Sequence, residues 1–260
     1  MTTWSGDPAD LVDLERYPLV DLAGEALAAV LARARAQLAE LGAAELPGFV
    51  NAEGMRLLLE DSEALAPKAW HSGGTGTAYL APAPDDAPEG DPRRWTGPYS
   101  TGAVAYDLFP TSSPLRVLYE WDALKDFVQA ILQAGPLYRY ADPCGALNLA
   151  VMTEGEQLQW HYDMTDFVVS LAIRDAAEGG DFEVSPRIRS ATDENFAGVS
   201  AVLAGERAGV LTLEMTPGTL LVFAGRYSLH RVSPVVGPVD RYVGLLAYDT
   251  SEGTVSSDSL

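Results

Sequence analysis

Cysteine is almost missing from this chain. One thiol, Cys144, in 260 residues excludes an internal disulfide and a multi-cysteine zinc site, and it fits a reducing compartment. Lysine is nearly as scarce, with only Lys68 and Lys125. Lys+Arg at 17 against Asp+Glu at 37 gives a formal net charge of −20. Such a surface repels phosphate backbones and anionic membranes, so neither nucleic acid nor a membrane is an expected partner. No apolar run approaches the roughly 20 residues of a membrane helix; the longest, Ala26–Ala32, lies in a helical pattern. The opening Met1–Asp7 is polar, without the charged-then-apolar order of a signal peptide, and a cytoplasmic location is expected. What is present is globular material. With 47% hydrophobic and 21% charged residues the chain can bury a core, and a single domain over 1–260 is expected.

Residues 1–135 read as mainly helical support. Residues 21–42 carry Leu27, Val30, Leu31, Leu38 and Leu41 at helical spacing, with Asp21 placed to cap the start and Gly42 the end. Met55–Trp70 suggests a second helix, broken near Pro67, and Leu115–Ala134 a third, with Leu118, Trp121, Leu124, Phe127, Val128 and Ile131 in its stripe. These stripes are expected core faces. Between them, Ser72–Ser113 reads as a long irregular stretch. Its glycines Gly73, Gly74 and Gly76 lack the Lys-Ser/Thr of a phosphate loop, and a flexible lid over a site is expected. From Ala146 onward short β-rich runs alternate with turns: 146–152, 167–173, 181–184, 209–215, 219–224, 230–235 and 242–248. That spacing predicts a β-sandwich or jelly roll over 136–250, with a short helix inside 193–205 and a flexible tail at 251–260.

Only three histidines occur, His71, His161 and His230. His161 and Asp163 stand two apart at the start of a β-run, so both are expected to project to one side with Tyr162 turned away. His230 opens a later run. Two imidazoles and a carboxylate on adjacent strands form a facial triad, which suits non-haem Fe(II) and leaves positions open for a co-substrate and O2. If 2-oxoglutarate chelates that iron, its far carboxylate needs a cation. Arg241, eleven residues after His230 and across one turn, offers a guanidinium fork; the plainer role for it is a surface ion pair. Asn148, polar within ALNLAVM, either bonds the 2-oxoglutarate carboxylate beside Arg241 or a neighbouring backbone group. Trp160 reads chiefly as packing, and Arg231 as the partner of a surface carboxylate. His71 reads as an exposed loop histidine that could alternatively face substrate. Arg93 and Arg94 either clamp a substrate carboxylate or pair with acids such as Asp91. Cys144 is assigned no catalytic role.

With those residues in order, the segment resembles the Fe(II)/2-oxoglutarate-dependent oxygenases with a double-stranded β-helix core. The resemblance is carried by LNLAVMTEGEQLQWHYDMTDFVVSLAI, EGGDFEV, PGTLLVFAGRYSLHRVSPV and DRYVGLLAYD. It is similar in particular to a branch of small amino-acid hydroxylases and radical halogenases. The resemblance implies an α+β fold, a jelly-roll, cupin-like core beneath an N-terminal helical layer. It implies Fe(II), 2-oxoglutarate and O2 as the reaction's participants, with His161, Asp163 and His230 on the metal and Arg241 and Asn148 on the co-substrate. Halogenating members have a glycine in place of the carboxylate; Asp163 therefore implies hydroxylation of a C–H bond in a small molecule, an amino acid or a derived intermediate. Desaturation or ring formation by the same oxidant is the alternative outcome, and a non-enzymatic cupin-like binder the alternative class. The oligomeric state is left open.

Overall fold

The computed structural model describes residues 4–21 and 24–256. The first part of the chain forms α1 (Glu25–Leu41), β1 (Ala43–Leu46), α2 (Ala52–Leu65), β2 (Trp70–Thr77), β3 (Thr96–Ala105), α3 (Pro114–Glu120), α4 (Asp122–Leu132) and β4 (Tyr138–Arg139). There follow β5 (Leu147–Met152), β6 (Leu158–His161), β7 (Val168–Arg174), β8 (Glu178–Gly179), β9 (Phe182–Ser185), α5 (Phe196–Leu203) and β10 (Leu211–Leu213). The chain closes with β11 (Leu220–Phe223), β12 (Leu229–Val232), β13 (Val235–Val236), β14 (Arg241–Leu246) and β15 (Tyr248–Asp249). Among the described residues no helix is long and apolar enough to cross a membrane.

The apolar stripes place the helices. Leu27, Val30, Leu31 and Ala34 of α1 are buried, and Gly42 ends the helix at φ 68° while its N–H donates to the Leu38 carbonyl. That left-handed cap suits a residue with no Cβ. The start differs from expectation. Asp21 is not the cap, because the N–H of Gly24 turns back onto the Asp21 carbonyl and α1 begins at Glu25. The expected helix over Leu115–Ala134 is two helices, broken at Trp121, whose backbone is extended. The break frees carbonyls at the end of α3, and tertiary partners take them. Arg139 donates to the Tyr119 and Glu120 carbonyls at 2.9 and 2.6 Å, and the Tyr248 hydroxyl donates to Tyr119 at 3.3 Å.

Two antiparallel sheets form the centre. One has seven strands in the order β1-β11-β7-β14-β5-β3-β2, the other four in the order β10-β9-β12-β6. Alternation splits the large sheet into two faces. Leu147, Leu149 and Val151, with Val169, Leu171 and Ile173, share a core with residues of α1, α2 and α4. From the other face Ala172, Leu221 and Phe223 pack on Phe182, Val184 and Leu213, so the two sheets face each other. On the far side of the small sheet, Trp160, Tyr162 and Leu229 pack with Val199 and Val202 of α5. The chain is thus a mixed fold of helices on a large antiparallel sheet.

Ser72–Ser113 is not one irregular stretch. Strands β2 and β3 pair from Trp70 opposite Ala103 to Thr77 opposite Thr96, and β2 is the edge of the large sheet. The strand is mostly exposed and built through backbone bonds, so no apolar alternation announces it. The ring of Tyr99 lies over Gly74, covering the missing side chain. The remaining 78–95 segment lies away from the inter-sheet space. Ala78 and Trp95 pack in the outer cluster with α5, and Arg93 stacks 4.9 Å from the Phe196 ring. A protease cut within exposed residues 80–90 is therefore expected to proceed at the same rate with and without Fe(II) and 2-oxoglutarate; slowing on ligand addition would reinstate a lid. The tail also departs from expectation. Ser256 donates to the Asp142 carboxylate from its N–H and Oγ at 2.6 and 2.9 Å, so 251–256 is tied down, while 257–260 lies outside the described residues.

Candidate metal centre

Strand pairing brings the two histidines together. His230 on β12 stands directly opposite His161 at the end of β6, and their ring centroids lie 4.2 Å apart. Between His230 and Val232 the register slips, placing one extra residue on β6. Such a bulge re-aims side chains beside a site: Leu158 and His161, three residues apart, stand opposite Val232 and His230, two apart, while Trp160 turns to the outer cluster. The strand stops at His161, so Asp163 reaches the same space from a loop rather than from the expected i, i+2 strand geometry. Tyr162 is turned away and packs on Tyr79 at 5.2 Å. Asp163 Oδ1 lies 3.9 Å from His161 Nε2 and 3.5 Å from His230 Nε2.

The backbone orients both rings. Nδ1 of His161 bonds the Gln159 carbonyl at 2.7 Å, and Nδ1 of His230 bonds the Ser228 carbonyl at 2.9 Å. A carbonyl only accepts, so each Nδ1 carries the hydrogen and each Nε2 lone pair faces Asp163. His230 is held between Phe182 and Phe223, with centroids 5.5 and 4.8 Å away. Burial, helped by the neighbouring His230, lowers the His161 pKa to about 4. At His230 burial works against charge too, but the Asp163 carboxylate outweighs it and raises the pKa. Asp163 Oδ2 is buried without a hydrogen-bond partner. Two neutral imidazole nitrogens and a carboxylate within 4.8 Å of one another fit a nitrogen- and oxygen-loving transition metal with open positions.

Arg241 differs from its expected plain role. It is 7% exposed; among the described residues no carboxylate lies within ion-pair distance, and the side-chain contact of hydrogen-bond type is Met152 Sδ at 3.8 Å. Burial lowers its pKa to about 10, with Asp175 and Asp181 only partly compensating. Gly180, at φ 68°, makes room for it: a Cβ there would stand 2.9 Å from Arg241 Cδ. Met152 clusters with Val232 and Phe182, and Phe182 touches His230, which links the guanidinium to the triad.

The other candidates fall apart from this centre or sit along it. Asn148 shares the sheet face of Met152 but pairs with Leu245, while Arg241 pairs with Met152. Four residues of strand, about 13 Å, separate the two positions, so Asn148 is not beside Arg241. His71 bonds Glu156 at 2.9 Å on the exposed edge strand. Arg231 pairs with Glu183 and stacks on Trp160 at 5.1 Å. Arg93 pairs with Asp91, and Arg94 donates to the Ala87 and Asp85 carbonyls. Cys144 is exposed. Two residues that the sequence reading quoted only within GRYSLHRV, with no role of their own, matter here: Gly225, whose carbonyl accepts the Asp163 N–H at 3.2 Å, and Arg226, which bonds the Met164 carbonyl and Asp166. The run does not announce their partners, because the contact spans some sixty residues.

The family described as halogenase D (HalD) matches residues 103–258, more than half of the chain. The chain belongs to the HalD family. That match covers β5 to β15 and includes the triad and Arg241. No curated protein matches the sequence. Among solved structures, a 2OG-Fe(II) oxygenase family oxidoreductase from Burkholderia pseudomallei aligns over 85% of this chain and 91% of its own, at 18% identity and a TM-score of 0.53. AviO1 from Streptomyces viridochromogenes aligns over 88% and 97%, at 18% identity and 0.58. The epimerase SnoN, solved with Fe3+, alpha ketoglutarate and nogalamycin RO, aligns over 85% and 84%, at 16% identity and 0.58. At these identities what is shared is the fold, here the fold of 2OG-Fe(II) oxygenases.

Proposed function

We propose that this HalD-family chain is an Fe(II)/2-oxoglutarate-dependent dioxygenase that hydroxylates an unactivated C–H bond of a small molecule, an amino acid or an amino-acid-derived intermediate. On this reading the two facing sheets are the halves of a double-stranded β-helix. His161, Asp163 and His230 hold iron, and Arg241 holds the far carboxylate of 2-oxoglutarate. The observation that carries it is Arg241: a guanidinium 7% exposed, with no carboxylate of the described residues within ion-pair distance, is costly unless an anionic ligand completes it. A purely structural metal site has no need of such a cation. Bound iron and 2-oxoglutarate supply the O2-activating chemistry. The chain's part is to fix the ligand tautomers through Gln159 and Ser228, to neutralise the co-substrate, and to keep water out with Phe182 and Phe223.

The family's name points to halogenation, and Asp163 argues against it for this chain. Its carboxylate occupies the side of the centre where a chloride would have to sit, and repels a second anion. The test supplies Fe(II), 2-oxoglutarate, O2 and a panel of free amino acids in chloride-rich buffer, with succinate and product masses read out. The expected product gains one oxygen and no chlorine, and Asp163→Gly loses most turnover. A chlorinated product from the wild type would overturn the role given to Asp163; no 2-oxoglutarate consumption with any substrate, together with no iron binding, would remove the enzyme reading.

A further inference from the structure

We infer that Gly225 is the seat of the Asp163 carboxylate: the side chain it lacks is the space the carboxylate fills. The consequence for metal binding rests on the function proposed above; the steric relation stands on packing alone. A Cβ on Gly225 would fall inside Asp163 Oδ2, and would stand 2.5 Å from its Cγ and 2.9 Å from its Cβ. Those three nearest atoms all belong to Asp163. The backbone of Gly225 is outside the left-handed region, so alanine is excluded there by the carboxylate and not by conformation. The glycine carbonyl also accepts the Asp163 N–H at 3.2 Å. The next residue, Arg226, donates to the Met164 carbonyl at 2.5 Å and pairs with Asp166, so 225–226 grips 163–166 at several points.

This packing has a chemical effect. Asp163 Oδ2 is buried and accepts no hydrogen bond. The carboxylate is therefore turned by shape, with Oδ2 against Gly225 and Oδ1 toward both Nε2 atoms. A larger residue at 225 would rotate or expel it. Gly225 is thus a positioning residue acting through Asp163.

The experiment compares wild type, Gly225→Ala, Asp163→Gly and the double variant. Co(II) is titrated as a spectroscopic probe through its visible absorption, and the metal-free proteins are melted. Asp163→Gly is used because Asp163→Ala would keep a Cβ only 2.9 Å from the new one. Gly225→Ala is expected to weaken Co(II) binding about 10- to 100-fold, the range for losing a group that orients a ligand, and to lower the metal-free Tm by roughly 5 °C. In the Asp163→Gly background the same substitution is expected to change neither quantity. Wild-type Co(II) affinity and spectrum in Gly225→Ala, or an equal Tm loss in both backgrounds, would overturn the inference. If Gly225→Ala does not fold, recovery of a folded double variant supports the seat and its failure overturns it. If wild type binds no Co(II), the metal reading falls, and the Tm coupling alone decides whether Gly225 seats the carboxylate.

Discussion

His230→Ala protein is expected to lose most of its Fe(II) binding, by about 100-fold or more, beyond what losing a group that merely orients a ligand costs. The ring is 4% exposed and wedged between Phe182 and Phe223, and its Nδ1 is committed to the Ser228 carbonyl. Only Nε2 is free, and it points at Asp163. No other described histidine, cysteine or acid joins the cluster of three, so no substitute ligand stands by. Removing the imidazole also removes the partner that holds the Asp163 pKa down, which leaves a buried carboxylate less able to stay ionised. The measurement is iron bound per chain after anaerobic loading and desalting, alongside the metal-induced rise in Tm. Unchanged stoichiometry in the His161→Ala, His230→Ala double variant would remove the metal centre.

Arg241→Met is expected to do two opposite things. Without its guanidinium, 2-oxoglutarate affinity should fall by several kcal/mol at most, the range for truncating one partner of a buried charged pair. Iron binding should survive, since Arg241 belongs to β14 and touches none of the three ligands. The metal-free fold, however, should become more stable. Burial lowers the Arg241 pKa from 12.5 to about 10, so the folded state disfavours the charge, on the order of 3 kcal/mol as an upper bound. A guanidinium stays protonated in both states across the ordinary pH range, so the penalty is present throughout it. Methionine suits the contact with Met152, which belongs to an apolar cluster with Val232 and Val235. Urea midpoints should therefore be higher for the variant at pH 7, and added 2-oxoglutarate should raise the midpoint of wild type only. Equal 2-oxoglutarate affinity in the two proteins would mean that another cation binds it.

The elements that could be read in advance are those with a period. Leu27, Val30 and Leu31 mark α1, and the runs from Leu147 and Val168 mark β5 and β7, because each buries one face or a continuous stretch against a neighbour. Elements without such a face escaped. Strand β1 is short, and β2 is an exposed edge whose Ser, Gly and Thr residues carry no pattern; both are strands because β11 and β3 supply hydrogen-bond partners. The single helix expected over Leu115–Ala134 has a sound stripe on both sides of Trp121, and its interruption depends on Arg139 and Tyr248 meeting the freed carbonyls.

At the site the division follows the same line. Two histidines and an aspartate in order along β-rich sequence were enough to pick out the three side chains that the fold brings together, because donor chemistry belongs to the residue type. Their common direction depends on a bulge in β6 and on the pairing of His161 with His230, which are properties of register. The burial of Arg241 is likewise invisible in one dimension, since a surface ion pair and a buried cation have the same letters around them. So is the fit of Asp163 against Gly225, and so is the strand's length that parts Asn148 from Arg241. Residue identity decides what a side chain can bond; burial, register and the shape of the neighbour across the sheet decide what it does bond, and those exist only once distant segments have packed.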